Sequence, residues 1–346
     1  MNENVLHDET LVCELQKEIS GYFGGVYCSL VSTGTSALEI AIRSLELPRG
    51  SKILIPDLSF IATATAVASV GMIPVYGDCS EKFYGISYEE VKKTYEEVPD
   101  IKAVIVVHFT GMVNRDIIKI ADFCRKNNLF LIEDCAQVFG GSIAGKKCGT
   151  IGDLGTFSFQ KSKVLTCGEG GMVLASNEKL ANNVAALKDW GLDLNGVRQL
   201  HLACGNYRIN QFAAAYLKAC FKEIDKILQD RQGLYVKVVD ILEKGGYSVC
   251  THAEFTDAVS DVPFFVLVKS EHPNCNLHPL NEYPMHLSKL VKSIMQIQYP
   301  DLIETYQYFI ERKQYRESSR LAQKTNFLPL FNRKIDEVSN KILEEL

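Results

Sequence analysis

Leu129-Phe130-Leu131-Ile132-Glu133-Asp134-Cys135-Ala136-Gln137 is the stretch from which the fold is read. Its apolar run lacks the alternation of a half-exposed strand, which suits a strand buried on both faces in a parallel sheet flanked by helices. Three more runs, Lys52 to Ile55, Ile73 to Tyr76 and Ala103 to Val107, are likewise rich in Val, Ile and Leu. Between them, Phe60 to Val70 and Arg115 to Lys126 have helical length and periodicity. Strand and helix in turn predict an α/β fold whose mostly parallel sheet is covered by helices. Asp134 follows the run Leu129 to Glu133 directly. It therefore falls where ligands of such sheets collect, beyond the carboxyl ends of the strands.

Further along, the pattern changes after Gly191 to long helical stretches, Asn210 to Leu228 among them, and becomes less regular from Gly245. A chain of 346 residues suits one large domain and one smaller one. The expected division is an N-terminal helix in residues 1–20 packing on the small domain, a large domain over 21–244, and a small C-terminal α+β domain over 245–346. Gly245-Gly246 is the expected junction.

Composition narrows the class. Lys and Arg total 37 against 42 Asp and Glu, a formal charge of -5, which argues against nucleic acid as a partner because phosphate backbones are held by clustered cations. Met1 to Glu9 carries acids where an export signal has bases and an apolar run. Phe60 to Val75 is interrupted by Thr63, Thr65, Ser69, Gly71 and Pro74, and is shorter than the roughly 20 residues a spanning helix needs. It reads as a buried helix and the strand after it, so no membrane partner is expected. The 11 cysteines form no C-x-x-C pair, which gives neither a disulfide framework nor a zinc spacing and fits a reducing cytoplasm. No metal is expected.

Chemistry concentrates downstream of Asp134, in Thr156-Phe157-Ser158-Phe159-Gln160-Lys161-Ser162-Lys163-Val164-Leu165-Thr166-Cys167-Gly168-Glu169-Gly170-Gly171. A pyridoxal phosphate site needs a lysine amine to hold the aldehyde as a Schiff base, a carboxylate to keep the pyridine nitrogen protonated, and donors for the phosphate. Lys163 and Lys161 both stand in the loop, and spacing alone does not choose between them. Asp134, with Gln137 three residues on, is the candidate carboxylate; the plainer reading is a cap on the next turn. Ser32-Thr33-Gly34-Thr35-Ser36-Ala37-Leu38 reads as a loop opening a helix, whose free amides and the hydroxyls of Thr35 and Ser36 suit a phosphate dianion. An ordinary helix cap reads the same way.

Four motifs in order resemble the DegT/DnrJ/EryC1/StrS family of sugar aminotransferases. They are Gly34-Thr35-Ser36-Ala37-Leu38, Glu133-Asp134-Cys135-Ala136-Gln137, Ser158-Phe159 through Lys163 followed by Thr166-Cys167-Gly168-Glu169-Gly170-Gly171, and Gly205-Asn206-Tyr207-Arg208. The match covers about Leu30 to Leu242 and resumes near Phe327-Leu328-Pro329-Leu330. The resemblance implies the fold type I architecture of aspartate aminotransferase, pyridoxal 5'-phosphate as cofactor, and Lys163 as its lysine with Lys161 a bystander. It implies that Asp134 faces the pyridine nitrogen, Gln137 the ring oxygen, and Thr35, Ser36 and Ser158 the phosphate. It further implies that Phe60 stacks on the cofactor ring and that Asn206 reaches the phosphate of a neighbouring subunit, so that the working unit is at least a homodimer with shared sites.

Arg208 has a cationic fork suited to a carboxylate, either of an amino donor or of an interface acid. His108 and Trp190 read as structural residues. Two departures stand out: Thr65 replaces a frequent family asparagine, and Val249 to Arg316 matches poorly, with the acceptor segment trimmed around Ser270 to Asn281. The expected activity is amino transfer from glutamate or glutamine to a keto-sugar, free or nucleotide-linked, or to a keto-cyclitol, in amino-sugar biosynthesis. The alternatives are a sugar dehydratase, whose family branch resembles the rest but has histidine at the lysine position, and a non-catalytic cofactor-binding regulatory subunit.

Overall fold

The computed structural model describes residues 10–198, 204–269, 278–280, 283–312 and 315–330. Its first half alternates as the sequence predicts: α1 (Thr10–Tyr22), β1 (Tyr27–Val31), α2 (Gly34–Ser44), β2 (Lys52–Pro56), α3 (Ile61–Ser69), β3 (Ile73–Gly77), α4 (Tyr88–Glu97), β4 (Ile101–Val107), α5 (Ile117–Lys126) and β5 (Phe130–Asp134). A short hairpin, β6 (Ser142–Ile143) and β7 (Lys146–Lys147), precedes β8 (Leu154–Ser158), β9 (Gly171–Ala175) and α6 (Glu178–Lys188). The second half holds α7 (Gln211–Phe221), α8 (Ile224–Lys244), β10 (Val259–Ser260), β11 (Phe265–Lys269), β12 (His278–Pro279), α9 (Lys289–Gln298), α10 (Ile303–Arg312), α11 (Arg316–Lys324) and β13 (Thr325–Pro329).

Seven strands form the main sheet in the order β1-β9-β8-β5-β4-β2-β3. Pairing is parallel from β8 through β5, β4 and β2 to β3, and β9 alone runs against the rest. Successive side chains of a strand point to opposite faces, and here both faces are filled. Ala103, Ile105 and Val107 of β4 join one core with α2 and α3. Val104 and Val106 join the other, with α1, α5 and α7.

The N-terminal helix departs from expectation. Among the described residues, α1 packs on α7 and β1 rather than on the C-terminal part, because Leu15 and Ile19 are its fully buried residues and fit the second of these cores. Lys218 of α7 also reaches Glu14 and Glu18 across the same contact. The expected helix over Asn210 to Leu228 is two helices, since Lys222 and Glu223 interrupt it. Gly245-Gly246 does follow the end of α8, but the core under the small sheet β11-β13-β12 already starts at Leu234. No helix among the described residues is long and apolar enough to cross a membrane.

Among the contacts that bind the C-terminal third to the main sheet, two frame the site. α10 lies on the edge strand β3 and α9 on α3, covering an edge that would otherwise offer unpaired backbone groups. The second joint lies just past β4, where Thr110 and Gly111 both adopt positive φ, 61° and 84°. Gly111 O accepts from Val262 N at 2.9 Å, and Thr110 O accepts from Phe264 N at 2.7 Å. A Cβ on Gly111 would lie 2.0 Å from Val262 O, so this approach requires glycine.

Candidate active site

The strand register assembles the site. Val31 and Ser158 both pair with Gly171, and Asp134 pairs with Val107 on one side and Thr156 on the other. The ends of β1, β8, β5 and β4 therefore open on one edge of the sheet. There they meet the starts of α2 and α3 around a cavity of about 380 Å³.

Asp134 is nearly buried at one wall. Its Oδ2 accepts from Thr63 Oγ1 at 2.8 Å and its Oδ1 from the Ala136 amide at 3.2 Å. Burial pushes its carboxyl above the usual carboxylate range, while these two hydrogen bonds, Lys163 and His108 pull it back toward the ionised form. Thr63 is in turn bonded to Ser59 Oγ at 2.7 Å. Gln137 lines the same wall, and its Oε1 accepts the Thr110 amide at 2.6 Å. That bond orients the side-chain amide and leaves its NH2 as the group to offer a ligand.

The structure separates the two lysines. Lys161 is exposed, whereas Lys163 lines the cavity. The turn that aims it is closed by the Lys163 amide to Gln160 O at 2.8 Å and by Gln160 Oε1, which accepts from the amide and hydroxyl of Ser162. Burial lowers the Lys163 amine from 10.5 to about 8, against the pull of Asp134. Its Nζ stands 4.6 Å from the centre of the Phe264 ring.

The anion end is built by close packing. A Cβ on Gly34 would lie 2.7 Å from Ser158 Cβ, and one on Gly171 would lie 2.2 Å from Thr33 O. Both positions must therefore lack a side chain, and the start of α2 comes to rest against Ser158. Gly34, Thr35 and Ser158 line the cavity, presenting first-turn amides and hydroxyls to an anion. Ser36 does not line it. Its hydroxyl is spent in a capping box with Thr33 and a contact to Ser32.

Phe60 caps α3 with its ring 56% exposed while lining the cavity, an open aromatic face where a core phenylalanine would be covered. The structure thus brings Thr35, Phe60, Asp134, Gln137, Ser158 and Lys163 together. Asn206 and Arg208 stay outside this cavity, both exposed. Arg208 pairs with the Asp189 carboxylate, and Asn206 bridges Asp189 through the backbone.

Sequence reading missed Thr63, Glu169, Phe264, Phe265 and Tyr283 as cavity residues. Thr63 carried a usable signal, being a hydroxyl one turn after Phe60 in a largely apolar helix. The aromatic residues carried none, because the C-terminal third brings them in from far along the chain. Tyr283 is held in place by the Ser59 amide, which donates to its carbonyl at 3.5 Å, and by edge contacts of its ring with Phe109 and Phe327. The His286 Nδ1 and amide bond the fully buried Asp57 carboxylate at 2.7 and 2.9 Å. Ser270 to Asn281 lies almost wholly outside the described residues. Trp190 is not packed as expected but 56% exposed, at φ 51°.

His108, Glu133 and Cys135 bring potential ligand atoms within 4.8 Å of one another, yet hydrogen bonds spend their lone pairs. Glu133 accepts the amides of Gly149, Ile151 and Gly152. His108 Nδ1 accepts the Asn114 amide, which leaves Nε2 to donate to Glu133 at 3.1 Å. The cluster anchors the loop beneath the site.

A buried amine lowered to about 8 costs the fold stability. The unfolded chain binds the proton more tightly, so the cost is full below about pH 8 and fades as pH rises toward 10.5. That difference corresponds to about 3 kcal/mol. Lys163→Met is expected to raise the stability of the cofactor-free protein at pH 7 by about 2 kcal/mol, the full difference being reduced by solvent at the half-buried side chain. The gain should vanish near pH 10.5. Urea unfolding at the two pH values measures it; equal gains at both would mean the amine is not desolvated.

The profile of the DegT/DnrJ/EryC1/StrS aminotransferase family matches residues 1–346. GDP-perosamine synthase of Vibrio cholerae is 33% identical over 220 residues, 63% of this chain and 59% of that protein. L-glutamine:2-deoxy-scyllo-inosose aminotransferase of Streptomyces kanamyceticus is 30% identical over 220 residues, 61% of this chain and 51% of that protein. The matches thus span about half to three fifths of these relatives' length. Among solved structures, an aminotransferase from Psychrobacter cryohalolentis superposes with a TM-score of 0.78 at 22% identity, over 96% of this chain and 90% of its own. A DegT DnrJ EryC1 StrS aminotransferase from Brucella abortus gives 0.79 at 23% identity, over 97% and 89%. At such identities the likeness is one of fold.

Proposed function

Since this chain belongs to the DegT/DnrJ/EryC1/StrS aminotransferase family and has the fold type I architecture of pyridoxal phosphate enzymes, we propose that it is a pyridoxal phosphate-dependent aminotransferase. It moves an amino group from glutamate or glutamine to a keto-sugar, free or nucleotide-linked, or to a keto-cyclitol, in amino-sugar biosynthesis. The observation that carries this reading is the meeting of the Lys163 amine, the Asp134 carboxylate and the start of α2 in one cavity. The names of the relatives, a perosamine synthase and an inosose aminotransferase, support an acceptor of this class.

The residues present fit the cofactor. Gly34 and Thr35, with Ser158 against them, suit its phosphate, Phe60 its ring face, Gln137 its ring oxygen and Asp134 its ring nitrogen. When bound, pyridoxal phosphate supplies a carbonyl for amine exchange and a ring that accepts the charge developed at the donor α-carbon. Lys163 holds the cofactor and then, as a free amine, moves the proton at that carbon. With its pKa at about 8, a few hundredfold more of it is neutral at pH 7 than of an ordinary lysine. The hydrogen bonds from Thr63 and the Ala136 amide favour the ionised form of Asp134 against its burial, the form that keeps the ring nitrogen protonated. Phe60 and the wall of Phe264, Phe265 and Tyr283 keep water from the reacting atoms.

Mixing the purified protein with glutamate or glutamine is expected to convert the cofactor spectrum from the aldehyde to the amine form, and a keto-sugar or keto-cyclitol from a panel to convert it back. A spectrum unmoved by either donor would sink this reading. A bound cofactor that never turns over would point instead to a regulatory subunit.

Asn206, exposed and outside its own cavity, suits the phosphate end of a second copy's site. In a two-fold dimer the same contact recurs in both sites. Lys163→Ala and Asn206→Asp, each inactive alone, are then expected to recover activity on mixing. The ceiling is half the parent activity per mixed dimer, because one site is intact and the other carries both defects. No recovery despite demonstrated subunit exchange, or a fully active monomer in sedimentation, would refute the shared site.

A further inference from the structure

We propose that Phe264 is a positioning residue whose ring face seats the Lys163 ammonium whenever that amine is not bonded to the cofactor. The inference rests on the reading of Lys163 as the cofactor lysine. Lys163 Nζ stands 4.6 Å from the Phe264 ring centre, well within the range in which a cation is drawn to the negative face of an aromatic ring. Asp134 is near enough to act on the same amine electrostatically. Yet no ion pair within 4.0 Å joins them among the described residues: the amine rests on the ring and not on the carboxylate.

Phe264 is built for a fixed seat. It is 2% exposed, its amide is held by Thr110 O at 2.7 Å, and its carbonyl by the Leu330 amide at 3.1 Å. Phe265 backs it at a ring separation of 4.6 Å. Besides Lys163, the charged or titratable groups lining the cavity among the described residues are Asp134 at the end of β5, Glu169 before β9 and Tyr283 from the C-terminal part. An ammonium free to settle on Asp134 would neutralise the carboxylate meant for the ring nitrogen and fill the space of the ring itself. The Phe264 face gives it a place that leaves Asp134 charged and the cavity open.

The test replaces Phe264 in the full-length chain with mono-, di- and pentafluorophenylalanine, which withdraw charge from the ring face while nearly keeping its shape. Trace acetylation of the cofactor-free protein across pH, followed by peptide mapping, reads the Lys163 pKa directly, with Lys161 as internal control. The expected result is a stepwise fall, reaching roughly half to one pH unit at full fluorination, with Lys161 unmoved. Phe264→Leu should shift Lys163 the same way while melting within a few degrees of the parent. A Lys163 titration that stays put or rises through the fluorinated series would overturn the seat and leave Phe264 as wall. Since the labelling needs no cofactor, failure of the seat stays distinct from failure of the enzyme reading, which shows as a lysine that captures no cofactor.

Discussion

Lys163→Ala is expected to yield a folded protein that neither turns yellow with pyridoxal phosphate nor transfers amine, while Lys161→Ala keeps both properties. The geometry makes the contrast sharp. Lys163 lines the cavity, buried and with its amine at about 8, whereas Lys161 is exposed in the same loop. Loss of the covalent lysine removes both the bond to the cofactor and the base, so turnover should fall by several orders of magnitude. Borohydride reduction followed by peptide mapping checks it on the parent protein. Label on Lys161 would reverse the assignment.

Asp134→Asn has the second largest expected effect. Asparagine keeps an oxygen to accept the Ala136 amide, and its NH2, in place of Oδ2, can donate to Thr63 Oγ1 while the Thr63 hydroxyl turns to Ser59, so the turn after β5 should survive. What disappears is the negative charge beside the ring nitrogen. Losing such a preorganised partner typically costs a few kcal/mol of transition-state stabilisation, on the order of a hundredfold or more in rate. Activity within about twofold of the parent, below one kcal/mol, would reduce Asp134 to a cap. Circular dichroism and melting of the variant separate lost charge from lost fold.

The parts of this molecule that could be read from its sequence are those where one local pattern has one structural outcome. The apolar runs at Ile53, Val104 and Ile132 became buried strands because a run without alternation must be covered on both faces. The helix opened by Gly34 was legible as such, whereas the close approach of Gly34 and Gly171 to Ser158 and Thr33 came only with the structure. Local pattern fails where partners come from afar. Spacing alone did not choose Lys163 over Lys161; the family resemblance did, and the turn closed by Gln160 is what aims it, while the Ser36 hydroxyl expected at the phosphate lies in the helix cap. The docking of α1 depended on which core had room for Leu15 and Ile19, and the aromatic wall on contacts spanning more than half the chain. Exposed Trp190, at a left-handed backbone position, shows the limit of residue type as a guide.

The turn Thr110-Gly111 meets the C-terminal half through its main-chain carbonyls, which receive the Phe264 and Val262 amides, while the Thr110 amide holds the Gln137 side chain. A joint made of peptide groups is indifferent to the side chains around it. The C-terminal third can therefore drift far in sequence, trading one substrate-facing surface for another, while the distance from the ring-oxygen side of the site to the lysine wall stays the same. Gly111 is denied that freedom, since a side chain there would run into the Val262 carbonyl. The fold thus separates what may vary from what must be kept, and does so at the level of two residues.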